Sequence, residues 1–138
     1  MTVFFDTNVL IYSISAAPDE ASKRDVARTL LDRADGALSV QVLQEFYTQA
    51  TRPSRLGRLQ HDEAAGFVRA WTRFKVQDNT LAVLWMALEI TEAHRFSYWD
   101  SAVLAAARVA GCSELYTEDL SHGQVVEGVR IINPFKPA

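Results

Sequence analysis

The sequence predicts an α/β fold, one domain in which a parallel sheet of about five short strands is sandwiched between helices. Three observations carry this. Short apolar runs rich in β-branched and aromatic residues, such as "TVFF" (2–5) and "VRII" (129–132), alternate with longer segments of helical pattern. The chain has 138 residues, 49% of them hydrophobic, which suits a single core. No internal repeat, low-complexity tract or long linker divides it, so residues 1–138 read as one unit.

The elements follow in order. "TVFF" is a buried strand, and "TNVLIYSIS" after it is a helix that Asp6 or Thr7 is placed to cap. Pro18 and Asp19 start a second helix over about 20–34, which Gly36 ends. "ALSV" (37–40) is the next strand, and residues 40–51 form a helix with Leu43, Phe46 and Ala50 on one face. Pro, Ser and Gly mark 52–60 as a loop. A helix over about 61–73 precedes a strand at "FKVQD" (74–78). Residues 81–96 make a long, mostly apolar helix, and 100–111 another that is apolar nearly all round and so deeply buried. "ELYT" (114–117) and "VRII" complete the strands.

Composition narrows the setting. No apolar run reaches the length of a membrane span, and residues 1–15 lack the basic start and cleavage site of a signal peptide. The single cysteine, Cys112, cannot form an internal disulfide and reads as a small buried residue after a helix-ending Gly111. A reducing cytoplasm is the expectation. The net charge of −3 by itself argues against a nucleic-acid partner.

Four carboxylates fall where a parallel sheet builds its sites, beyond the carboxyl ends of the strands. Asp6 ends the first strand and Asp119 follows the fourth; Glu45 lies in the helix after the second, and Asp100 opens the buried helix. Each has a plain structural role open to it. Asp6 caps a helix, Glu45 belongs to a solvated stripe with Gln41 and Gln49, Asp100 suits a helix dipole, and Asp119 sits among turn formers. Together they read differently. Carboxylates converging at one place repel unless a hard cation lies among them. Oxygen-only ligands, with His61, His94 and His122 scattered, suit Mg²⁺ or Mn²⁺ rather than zinc, held by Asp6, Asp100 and Asp119. Such a site hydrolyses phosphodiesters.

"FFDTNVLIY", "VLQEFY", "YWDSAVLAAARVAGCSELYTEDLSHGQ" and "VRIINPF" together resemble the PIN-domain ribonucleases, above all the toxin halves of VapBC toxin–antitoxin pairs. The resemblance runs from residue 3 to about 135. It carries the family's four acids onto Asp6, Glu45, Asp100 and Asp119, its polar residue after the first acid onto Thr7, and its hydroxyl before the fourth onto Thr117. It implies Mg²⁺ or Mn²⁺ as cofactor, endonucleolytic cleavage of RNA, a homodimer, and a cognate antitoxin that covers the active site. "TED" leaves Glu118 and Asp119 both open as the fourth acid, the Thr-x-Asp pattern favouring Asp119.

Charge fits such a substrate better once the site is set aside: 13 acids then face 14 basic residues, and residues 51–60 hold Arg52, Arg55 and Arg58 with no acid. That loop is either a phosphate contact or merely solvated. Two other readings compete. A phosphatase using Asp6 as nucleophile wants a second Asp where this chain has Asn8. A catalytically silent PIN-like binding module would not need the complete acid set.

Overall fold

The structure, a computed structural model, describes residues 2–136. Six strands form one sheet: β1 (Val3–Phe5), β2 (Gly36–Ser39), β3 (Lys75–Gln77), β4 (Glu114–Tyr116), β5 (Val125–Val126) and β6 (Val129–Ile132). Their spatial order is β3-β2-β1-β4-β6-β5, parallel throughout except for β5, which runs antiparallel to β6. Every residue of β1 and β2 is buried. Successive strand residues point to opposite faces, so unbroken burial means that both faces of the sheet are covered.

The helices are α1 (Thr7–Ser13), α2 (Ala21–Leu31), α3 (Val40–Ala50), α4 (His61–Trp71), α5 (Leu81–His94) and α6 (Tyr98–Val109). They pack in two groups, α1 against α2 and α3 with α4 beside α3, and α5 against α6. Residues 101–107 of α6 are all buried, as its apolar surface predicts, and its alanines let the helix lie close to the sheet. Leu43, Phe46 and Ala50 of α3 are buried as its periodicity requires. Phe4, Phe5, Leu10, Leu38, Leu104 and Leu115 fill the centre of the core. Cys112 is buried beyond Gly111, whose φ of +80° turns the chain out of α6.

Local differences from the sequence expectation have identifiable causes. A sixth strand exists because Glu127 and Gly128, both at positive φ, make a two-residue turn that folds Val125–Val126 back onto β6. Gly36 does not end α2, which stops at Leu31; it opens β2. A Cβ there would come within 2.5 Å of the Phe5 ring and 2.8 Å of the Phe74 ring, so the position takes no side chain for want of room. Asp100 is not the first residue of α6 but its third, because Ser97 caps the helix by accepting from the Asp100 N–H. Pro18–Glu20 form a 3₁₀ turn ahead of α2 rather than its first turn.

Candidate active site

The sheet order reverses between β1 and β4: β2 and β3 extend on one side, β6 and β5 on the other. A crevice opens at the carboxyl ends of strands at such a switch. Here it is a cleft of about 300 Å³, and all four expected acids, Asp6, Glu45, Asp100 and Asp119, line it together with Thr7, Asn8 and Glu118. Asp6 reaches it because β1 ends there; its N–H bonds to the Tyr116 carbonyl at the end of β4 (3.1 Å). Ser39 caps α3 by accepting from the Val42 N–H and so aims Glu45 into the same space.

Asp6 is buried. One carboxylate oxygen accepts from the Thr7 N–H (2.7 Å) and the other from the Thr117 hydroxyl (2.8 Å). Capping and site roles therefore coincide in one side chain. Burial pushes its pKa up to about 7; the Thr117 and Thr7 hydrogen bonds oppose the rise, and the charges of Asp119 and Glu45 add to it. Thr117 Oγ1 also accepts from the Asn8 amide (3.1 Å) and from the Asp119 N–H (3.1 Å). The same Asn8 amide donates to Asp119 Oδ2 (3.1 Å). Asn8, weighed in the sequence only for not being Asp, thus clamps Asp119.

Glu118 points into a different set of contacts. It accepts from the Tyr12 hydroxyl and pairs with Lys23 Nζ (3.2 Å), which also donates to Tyr12. Phe135, from the "NPF" segment, packs edge-on against the Tyr12 ring with centroids 4.8 Å apart. Glu45 accepts from Gln41 Nε2 (2.7 Å), so the expected polar stripe of α3 is real and borders the cleft. None of Asp6, Glu45, Asp100 and Asp119 has a salt-bridge partner among the described residues.

The arginine loop divides. Arg55 lines the cleft, whereas Arg52 and Arg58 are exposed outside it. Backbone bonds from Arg55 N–H to the Arg52 carbonyl and from Arg58 N–H to the Arg55 carbonyl wind the loop tightly. Three buried polar atoms at the cleft have no hydrogen-bond partner: Thr7 Oγ1, Asn8 Oδ1 and Arg55 Nε. A large aromatic side chain, Trp99, also borders it and is 65% exposed. Sequence patterning gave Asn8 no place in the site and did not single out Tyr12 or Trp99; the one available signal was that Asn8 and Trp99 lie within two residues of an expected acid.

Oxygen donors dominate the cleft, and two of them, on Thr7 and Asn8, are buried without a partner. That donor set fits a hard divalent cation that keeps part of its water shell. Among the described residues no group of three or more His, Cys, Asp or Glu is drawn tightly enough together to hold a metal ion. Three of the four acids are instead tied locally, Asp6 to Thr117, Asp119 to Asn8 and Glu45 to Gln41.

The family model of the PIN domain matches residues 3–127. The chain belongs to the PIN domain family. Solved structures share the fold of this PIN domain at low identity. One is a toxin–antitoxin complex from Klebsiella pneumoniae (20% identity, TM-score 0.71, covering 99% of this chain and 100% of that one). Another is VapC20 of Mycobacterium tuberculosis, described as a toxin that cleaves the sarcin–ricin loop (22% identity, TM-score 0.67, 86% and 92% covered). A third is FitAcB from Neisseria gonorrhoeae (17% identity, TM-score 0.69, 97% and 99% covered). No curated protein matches this PIN domain. Among its described residues no helix is long and apolar enough to cross a membrane.

Proposed function

We propose that this PIN domain is a metal-dependent endoribonuclease and the toxin of a toxin–antitoxin pair. The observation that carries the reading is the gathering of Asp6, Glu45, Asp100 and Asp119 around one cleft at the switch point of the sheet. Asp6, Asp100 and Asp119 would hold Mg²⁺ or Mn²⁺, a hard cation that supplies activation of water and neutralisation of phosphate charge. Thr117 and Asn8 keep Asp6 and Asp119 oriented. Glu45 takes the proton of the attacking water, its carboxylate steadied by Gln41. Arg55, whose buried Nε has no protein partner, contacts the scissile phosphate. Arg52 and Arg58, exposed nearby, add contacts to the flanking backbone of the RNA.

Solved neighbours in complex with antitoxins support a protein partner for this chain as well. The face made by α1, α2 and α4 suits one. Leu10, Ile11 and Leu31 are buried, but Ile14, Val26 and Leu30 are only half-buried. Ile14, Leu31, Phe67 and Trp71 line a groove of about 700 Å³ with Arg28 and Arg73 at its edge. An antitoxin segment with apolar anchors and an acidic residue would fill it. A second copy of the chain would cover the outer face of α5.

Incubation with structured RNAs in Mg²⁺, in Mn²⁺ and in EDTA, with mapping of cut ends, tests the activity. Internal cuts should require the metal. Asp6→Asn and Asp100→Asn should each reduce them at least a hundredfold, and Glu45→Gln by a smaller factor. Wild-type cutting by either Asn variant at limiting Mg²⁺ would defeat the assignment, and cutting in EDTA would defeat the metal.

A further inference from the structure

Trp99 is the second residue of α6, next in sequence to Asp100, and its side chain borders two spaces at once. One is the acidic cleft. The other is a groove of about 450 Å³ between the start of α3 and the starts of α5 and α6, with Gln41, Gln44, Asn79 and Tyr98 along it. That volume lies within the range of small-molecule sites, roughly 300–1,000 Å³. The groove pairs aromatic rings with amides. Tyr98 and Trp99 meet edge-on, their centroids 5.1 Å apart. The side-chain amides of Gln44 and Asn79 make no hydrogen bond among the described residues, while Gln41 also holds Glu45 of the cleft.

We propose that this groove is a nucleobase subsite, in which a base of single-stranded RNA stacks on Trp99 and its edge meets the amides of Gln44 and Asn79. The inference rests on the ribonuclease reading and adds to it the part of the substrate that the groove selects. Every base offers a π-face to an indole, and amide side chains carry both donors and acceptors for a base edge. Stacking next to Asp100 fixes the neighbouring phosphodiester over the acids. The substrate is therefore an unpaired or splayed segment, since a base inside a duplex cannot enter.

Binding of short labelled oligoribonucleotides in EDTA tests the subsite without cleavage. Trp99→Ala should weaken binding of base-bearing oligomers about tenfold and leave an abasic oligomer of equal length nearly unaffected; Trp99→Phe should recover most of the loss. Gln44→Ala with Asn79→Ala should change the ranking of A, C, G and U homopolymers. Val109→Ala, at the far end of α6 and lining neither space, should change nothing. Equal affinity of wild type and Trp99→Ala for base-bearing RNA would overturn the proposal. So would loss of a dimer in Trp99→Ala by sedimentation, which would make the indole a self-association contact. Cleavage is scored separately with Mg²⁺. Trp99-dependent binding without cutting would sink the nuclease reading alone, and cutting that is indifferent to Trp99 would sink the subsite alone.

Discussion

Asp6 joins a helix cap and a cleft carboxylate in one side chain, and its burial makes a stability prediction. In the metal-free protein its pKa stands at about 7, above the ordinary 3.8, chiefly because burial penalises the charged form. The folded state therefore keeps a proton that the unfolded chain releases. The resulting stability is complete below pH 4 and is lost as pH rises through 7. In EDTA the wild type should lose on the order of 2–4 kcal/mol between pH 4 and pH 8 from this group. Asp6→Asn should lack that slope and melt higher than wild type at pH 8, since Asn keeps the shape without the buried charge and its amide oxygen can accept from the Thr117 hydroxyl. Added Mg²⁺ or Mn²⁺ should raise the wild type by mass action and the variant much less. Thermal unfolding at the two pH values, with EDTA and with metal, decides the matter. A lower melting point for Asp6→Asn at pH 8, with equal metal effects on both, would leave Asp6 as a helix cap only.

At the scale of elements, α5 is the one that its own burial does not explain. Val83, Ala87 and Ile90 face inward, at the spacing of one helical stripe. Leu81, Trp85 and Leu88 repeat that spacing on the outside, between 45% and 67% exposed. Full burial of such a side chain contributes about 1.5–3 kcal/mol, of which roughly half remains to be gained at each, so an uncovered stripe of three favours association. The free chain should sediment at twice its monomer mass at micromolar concentration, and Leu88→Arg should sediment as a monomer with an unchanged helical spectrum. A monomeric wild type across that range would remove the α5 face as a self-association surface.

For the whole molecule, the cleft and the apolar groove of α1, α2 and α4 belong to one small body, so an occupant of the groove can reach the acids. Expression of the chain alone should slow host growth, and a co-encoded partner should relieve it. Asp6→Asn at matched soluble level should grow normally. Phe67→Glu, at the groove, should stay toxic but escape the partner. Equal growth with wild type and Asp6→Asn would count against the toxin reading, while full relief of Phe67→Glu by the partner would move the partner off this groove.

The parts with a local cause were legible in the sequence. Apolar runs of β-branched and aromatic residues made the strands, a period-3.6 stripe made α3, a run apolar nearly all round made α6, and Gly111 turned the chain where a glycine is most comfortable. It also put acids at strand ends, because those positions follow from the element boundaries. Tertiary structure alone decided what those residues meet. The adjacency of β1 and β4, which joins Asp6 to Thr117 across 111 residues, depends on strand pairing that no neighbouring residue encodes. The same holds for Asn8 against Asp119, for Arg55 turned inward while Arg52 and Arg58 face out, and for Trp99 set between two spaces. Helix and strand signals arise from contacts a few residues apart. The cleft arises from packing between segments that are distant in the chain, and its geometry exists only once the sheet order is set.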